Sequence, residues 1–169
     1  IGIDLMADVL ASFKKELPDN DEFQKVIEGT PIIKKLIESG YTGRKGKGGF
    51  YRINKSNNKK VLEALNLGKN EYFPTKKIDL RIDKVNLVEL INRNDKYGKY
   101  AWSVISKIIL YASSLVPQIT EEYNDIDEAL RLGFNWSMGP FEMLETIGLD
   151  NFFSKIDNLN NVSFLENLK

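Results

Sequence analysis

The stretch Asp125-Ile126-Asp127-Glu128-Ala129-Leu130-Arg131-Leu132-Gly133-Phe134-Asn135-Trp136-Ser137-Met138-Gly139-Pro140-Phe141-Glu142 reads as helix, break, helix. Asn124 or Asp125 opens the first helix, and acids in its first turn suit the positive end of the macrodipole. Leu132 is its last periodic residue. Gly133 is expected to end it, taking the positive φ of a C′ position. Gly139-Pro140 starts the second helix, because proline pre-sets the first turn and has no N–H to leave unpaired. Glu142 falls near that N-terminus, where a carboxylate is favoured. The segment from Phe141 to Ile147 continues the helix, and Asp150 is expected to cap a further one reaching Ile156.

Outward from this stretch the 3.6-residue period persists. The strongest helix is expected over about 99–115, with Ala101, Trp102, Val104, Ile105, Ile108, Ile109 and Ala112 on a broad apolar face. Lys99, Ser103, Ser106, Lys107 and Ser113 form the polar stripe opposite, and so wide an apolar face predicts a central helix. Nearer the start, Leu5, Val9, Leu10 and Phe13 predict an amphipathic helix stopping before Pro18. Asp19 or Asn20 caps a second helix, and Thr30-Pro31 opens a third that ends at Gly40. A weaker helix is expected over 59–67, irregular or extended chain over 68–80, and another helix over 84–92. The exception is 41–53, where glycines interrupt any helix and Phe50, Tyr51 and Ile53 form a short extended stretch. The fold class expected is therefore all-α, with one Gly-rich loop and a short extended segment.

Composition narrows the chemistry. The 169 residues suit one ordinary domain or one and part of another, enough to bury roughly 70% of the unfolded surface. With no cysteine, disulfide frameworks, thiolate metal sites and Cys nucleophiles are excluded; with no histidine, so are Ser-His pairs and imidazole ligands. Lys+Arg and Asp+Glu are 24 each, so no global field attracts a polyanion. No apolar run is long enough to span a membrane, and no signal segment follows Ile1, whose identity suggests a piece of a longer chain. Two Asn-x-Ser triplets, at 135–137 and 161–163, would accept glycans only in a secreted protein, which nothing else indicates.

Three constellations bear on function. Gly43-Arg44-Lys45-Gly46-Lys47-Gly48-Gly49 offers amides and three cations, and reads as a structural turn, an anionic-ligand contact or a nucleic-acid contact. It is neither a Walker A loop nor a dinucleotide fingerprint. Asp125, Asp127 and Glu128 fail the calcium-loop pattern, because the sixth position is Leu130 rather than glycine, which leaves helix capping. Glu142 and Glu145, three apart, read as an acid–base pair or as a solvated or capping face. An internal repeat is also visible: Ile1-Gly2-Ile3-Asp4 returns as Ile147-Gly148-Leu149-Asp150, an offset of 146 positions.

The 125–142 stretch followed by Ile147-Gly148-Leu149-Asp150 resembles the signature of the C-terminal domain of 3-hydroxyacyl-CoA dehydrogenases. The loop 43–49 with Phe50 and Tyr51 is similar to the family's other hallmark, which closes a copy of that domain. The resemblance implies a helical bundle of the 6-phosphogluconate dehydrogenase C-terminal-like type. It also implies the end of a first repeat over 1–53, a connecting region over 54–98 and a second repeat over 99–169. Gly43, Gly49, Phe50, Tyr51, Gly133, Phe134, Gly139, Pro140, Phe141, Glu142 and Gly148 become structural motif positions. Arg44, Lys45 and Lys47 become candidates for the phosphates of coenzyme A. The implied reaction is NAD-dependent oxidation of (S)-3-hydroxyacyl-CoA to 3-ketoacyl-CoA in fatty-acid β-oxidation, using a His–Glu pair and an Asn. None of these three can be assigned to a position here, so no catalytic, cofactor-binding or metal residue is expected on this chain. The acyl-CoA would lie at the interface with a separate NAD-binding domain, the helical part would support a homodimer, and the setting would be a bacterial cytoplasm. Neither a membrane nor a nucleic acid is expected as partner on this reading. The alternative is a non-enzymatic helical module that binds an anionic partner or nucleic acid through the basic loop.

Overall fold

The computed structural model describes residues 2–28, 31–55, 59–78, 85–156 and 164–165, and the chain divides into two compact units, 1–79 and 80–169. The divisions at 53/54 and 98/99 rest on repeat pattern, whereas this one follows where the chain packs on itself. The residues expected to cap the third helix (Thr30) and to carry the second glycan triplet lie outside the described residues, as does Ile1 of the repeat.

In the first unit, helices α1 (Ile3–Glu16), α2 (Glu22–Glu28) and α3 (Pro31–Glu38) precede a meander of β1 (Tyr51–Asn54), β2 (Val61–Asn66) and β3 (Glu71–Pro74). The strands pair antiparallel in the order β1-β2-β3, with Arg52 opposite Glu63 and Ala64 opposite Phe73. The helix expected over 59–67 is therefore a strand. Val61-Leu62-Glu63-Ala64-Leu65 fits either period over so short a run, and pairing on both sides settles it as β. The fold is mostly helical with a small sheet, not all-α. Asp21, rather than Asp19 or Asn20, caps α2, its Oδ1 accepting from the Phe23 amide at 2.7 Å. At the end of α3, Gly40 sits at φ +80° as expected, with its amide donating to Ile37 and that of Tyr41 to Leu36, a Schellman closure.

The core of this unit is Ile3, Ile33 and Leu36, with Ala7, Leu10, Phe50 and Leu65 packed around it. Helix α1 thus meets α3 through the 3-7-10 stripe. Its other apolar stripe, Leu5, Val9 and Phe13, is exposed, contrary to the core role its spacing suggested. Both stripes satisfy helical periodicity, and only the docking of α3 distinguishes them.

The second unit holds α4 (Leu87–Asn92), α5 (Lys96–Ser114), α6 (Tyr123–Phe134), α7 (Pro140–Ile147) and α8 (Leu149–Ser154). Asn86 and Glu89 close a capping box on α4. Asp95 caps α5, its Oδ1 accepting from the amides of Tyr97 and Gly98 while Arg93 pairs with Oδ2. These bonds hold the Asp95 carboxyl below its ordinary value, the Gly98 amide first and Arg93 next. Ser106 and Ser113 lie inside rather than on a polar stripe, and Val104 is outside. Small side chains line this face of α5 together with Gly98 and Ala112, and the Ser113 hydroxyl is satisfied internally by the Ile109 carbonyl at 2.7 Å.

The hub is α7, not α5: it packs against α4, α5, α6 and α8 and buries Pro140, Phe141, Leu144 and Ile147. Phe152 of α8 is fully buried, edge-on to Trp102 with centroids 5.5 Å apart. Lys155 closes the other end, its ammonium donating to the Ile91 carbonyl at 3.1 Å and lying 5.2 Å from the Trp102 ring centroid. No described helix is long and apolar enough to cross a membrane.

Replacing Phe152 by alanine is expected to destabilise this unit by about 3–5 kcal/mol through the cavity left among Trp102 and its neighbours. The exposed Phe134→Ala is expected to change stability by less than about 0.5 kcal/mol. Urea denaturation of the two variants checks the contrast.

Candidate functional site

Helix α6 delivers Asp127 and Arg131, one turn apart, against the N-terminus of α7. Asp127 is only 3% exposed. Its Oδ1 accepts from the Phe141 amide and its Oδ2 from the Glu142 amide, both at 2.9 Å. Glu142 turns back on the same turn: Oε2 accepts from the Gly139 amide at 2.8 Å, and Oε1 from Arg131 Nη1 at 2.7 Å. Pro140 has no N–H to satisfy, and the Met143 amide reaches the Gly139 carbonyl. Every donor of the first turn of α7 therefore has a partner. Asp127 acts as a cap, as its position suggested, yet it caps the next helix rather than its own.

Gly139 is required by this approach, since a Cβ there would lie 2.2 Å from Asp127 Oδ1. Gly133 is different. It stays helical with open space around it, and the left-handed residue that ends α6 is Asn135, at φ +55°. Asparagine tolerates that conformation because its short amide can bond locally, so the break moves two residues beyond the glycine. Phe134 is exposed. Gly148, at φ +82°, joins α7 to α8; it, rather than Asp150, holds the N-cap position of α8. Gly2 holds the matching position before α1, with φ −76°.

The chemistry left at this cluster is small. Burial pushes the Asp127 carboxyl up from its ordinary value, while the two amides and Arg131 pull it back and the Glu142 charge adds to the rise. Both of its oxygens are occupied, and so are both of Glu142. Glu145 is exposed on the next turn, so the pair 142/145 has no arrangement for acid–base work. No group of three or more carboxylates capable of holding a metal occurs among the described residues.

The Gly-rich loop of the first unit is built equally tightly. The Gly43 amide donates to Gly48 at 2.6 Å, Gly46 to Gly43, Lys47 to Gly40 and Gly49 to Tyr51. Gly43 and Gly48 adopt φ of +115° and +125°, and a Cβ on Gly49 would approach Ile3 Cδ1 to 2.9 Å. Phe50 packs into the core of this unit, whereas Tyr51 stands exposed on the sheet. The three cations part company. Lys47 donates to the Ser39 carbonyl at 3.1 Å, at the negative end of α3. Arg44 and Lys45 border an open recess of about 480 Å³ that also contains Asp4 and Asp8.

Sequence reasoning passed over the cluster beneath the loop. The Arg52 guanidinium lies 4.1 Å from the Tyr72 ring centroid and pairs with the buried Glu63 at 2.7 Å, while Tyr72 donates to the Gly49 carbonyl at 2.5 Å. Hydrogen bonds from Asn54 and Arg52 hold the Glu63 carboxyl below its ordinary value. The signal that could have exposed it was the alternation Arg52/Asn54 against Glu63 once β2 is read as a strand.

Fold and site thus define a helical scaffold whose motif residues are spent on holding helices and loops in place. Residues 100–164 match the family model described as 3-hydroxyacyl-CoA dehydrogenase, C-terminal domain. It is 40% identical over 158 residues (94% of this chain, 22% of the relative) to a putative fatty acid oxidation complex trifunctional enzyme of Rickettsia felis. A protein of the same description in Rickettsia prowazekii is 38% identical over 92% of the chain and 21% of its own length. A probable 3-hydroxyacyl-CoA dehydrogenase of Bacillus subtilis is 28% identical over 94% of the chain and 20% of its own. The chain spans about a fifth of the length of these relatives. No solved structure matches it.

Asp127→Ala is expected to strand two amides and cost about 2–4 kcal/mol. Gly139→Ala is expected to destabilise as well, by forcing apart α6 and α7, whereas Gly133→Ala should stabilise by up to about 1 kcal/mol because the site is helical and open. Denaturant midpoints of the three variants give the order.

Proposed function

We propose that this chain is the tandem helical C-terminal portion of a bacterial 3-hydroxyacyl-CoA dehydrogenase. The whole enzyme oxidises (S)-3-hydroxyacyl-CoA to 3-ketoacyl-CoA with NAD in fatty-acid β-oxidation, in the cytoplasm. The chain's share is structural: its bundle, of the 6-phosphogluconate dehydrogenase C-terminal-like type, walls the acyl-CoA cleft beside an NAD-binding domain and supports a homodimer. Residues 1–53 close a first repeat, 54–98 connect, and 99–169 form most of a second. Of the candidate cations Arg44, Lys45 and Lys47, the first two border an open recess and are proposed to meet coenzyme A phosphates, and Lys47 is engaged at the end of α3.

The observation that carries this reading is the fully satisfied Asp127–Arg131–Glu142 clamp on the very residues that carry the family signature. A motif whose Asp127 and Glu142 carboxylates are consumed by amides and an arginine is suited to holding a scaffold, not to taking a proton. The chain has no histidine to serve as base. Its described residues do not fit NAD either: the sheet is an antiparallel meander, with no strand–glycine loop–helix crossover to cradle a pyrophosphate. The nucleic-acid alternative is weakened by the zero net charge of the chain, which gives a long polyanion no overall attraction.

The chain alone, mixed with acetoacetyl-CoA and NADH, is expected to consume no NADH above background. Turnover at ordinary enzymatic rates would place the proton and hydride chemistry on these residues and overturn the reading.

A further inference from the structure

The sheet of the first unit has two unlike faces. Strand alternation puts Arg52, Glu63, Leu65 and Tyr72 inward, where they join the Gly-rich loop and the core. The opposite face carries Tyr51, Ile53, Leu62, Ala64 and Phe73, paired across the strands as Tyr51 with Ala64, Ile53 with Leu62 and Ala64 with Phe73. Tyr51 is 63% exposed, Ile53 60%, Leu62 50% and Phe73 40%. A contiguous apolar face of this kind, unlike scattered single residues, marks an interaction surface.

Its border is cationic. Continuing the two-residue alternation beyond the strand ends places Lys55, Lys60 and Lys77 on the same side, in a row at one end of the sheet, and all three are exposed. The Thr75 amide bond to the Leu62 carbonyl shows that the pairing does run past β3. At the other end Lys69 lies over the Phe73 ring, 5.5 Å from its centroid. One carboxylate, Glu71, shares the face. From 51 to 78 the chain carries seven Lys/Arg (Arg52, Lys55, Lys59, Lys60, Lys69, Lys76, Lys77) against two Glu, in a protein whose total charge is zero. The positive charge is therefore gathered around the exposed apolar sheet and balanced elsewhere.

We propose that this face is a peripheral docking site for an anionic lipid surface. Aliphatic and aromatic side chains enter the headgroup–acyl boundary, and the lysine border rests against the lipid phosphates. Charge complementarity selects this occupant. A second copy of the face would set four lysines against four with one acid each to offset them. A single nucleic-acid strand would find two aromatic platforms, Tyr51 and Phe73, interrupted by Ile53 and Leu62. The proposal is independent of the proposed enzymatic role, because none of these residues belongs to the clamp on α7.

The test is co-sedimentation of the chain with vesicles of phosphatidylcholine and phosphatidylglycerol at seven to three, and with pure phosphatidylcholine. Binding is expected to the anionic vesicles only and to fall steeply as salt rises. Lys55→Gln, Lys60→Gln and Lys77→Gln should each weaken it about fivefold, and all three together about a hundredfold. Ile53→Ser with Leu62→Ser should abolish it while circular dichroism shows the fold intact; if that pair fails to fold, the lysine series decides alone. The proposal is overturned by lack of binding to anionic vesicles, by equal binding to neutral ones, or by lysine variants that bind as the parent does. A concentration-dependent dimer dispersed by the Ile53/Leu62 pair would overturn it in favour of self-association. An RNA strand retained through the same lysines, with vesicles unbound, would overturn it in favour of nucleic acid.

Discussion

One buried carboxylate organises the second unit. Asp127 is removed from water, which by itself raises the free energy of its charged form, and it is tolerated because each oxygen receives an amide from the first turn of α7. That arrangement fixes α6 across the N-terminus of α7. Since α7 also touches α4, α5 and α8, its position sets the frame for the whole unit. The neighbours follow from it: Gly139 because no side chain fits beside Asp127, Pro140 because it brings no N–H to satisfy, and Glu142 because it accepts from both Arg131 and the Gly139 amide. Asp127, Arg131, Gly139, Pro140 and Glu142 of the signature thus describe one helix junction.

The helices were largely legible from the sequence because their breakers are chemically unambiguous. Pro140, Gly40 and Gly148 each do what their backbone chemistry dictates. Where two residues could do the same job, reading failed. Asn135 takes the left-handed position expected of Gly133, and Asp21 takes the cap expected of Asp19 or Asn20. The strand at 61–66 was missed because six residues do not separate a period of 2 from one of 3.6, and its partners lie on either side in sequence. Helix α1 shows a different limit. Its two apolar stripes are equally good on paper, and which one is buried depends on α3.

The candidate site was legible as a motif but not as geometry. Spacing alone left Glu142 open as an acid or base; only the positions of Arg131 and the Gly139 amide show that both its oxygens are taken. Likewise Arg44, Lys45 and Lys47 look equivalent in a string, yet Lys47 folds back on the carbonyl end of α3 while the other two border the recess with Asp4 and Asp8. The Arg52–Glu63–Tyr72 cluster, which anchors the loop to the sheet, required the correct strand register before it could be seen at all. The Asp127–Arg131–Glu142 and Arg52–Glu63–Tyr72 clusters are thus both occupied in construction.

The most direct measurement of this account is amide hydrogen exchange at Phe141 and Glu142. If the Asp127 carboxylate holds them, both should exchange only when the 80–169 unit unfolds as a whole, at the same free energy as the core amides of α5. Rapid exchange of these two amides while the later turns of α7 remain protected would mean that the junction is open in solution, and the clamp could not be what positions the bundle.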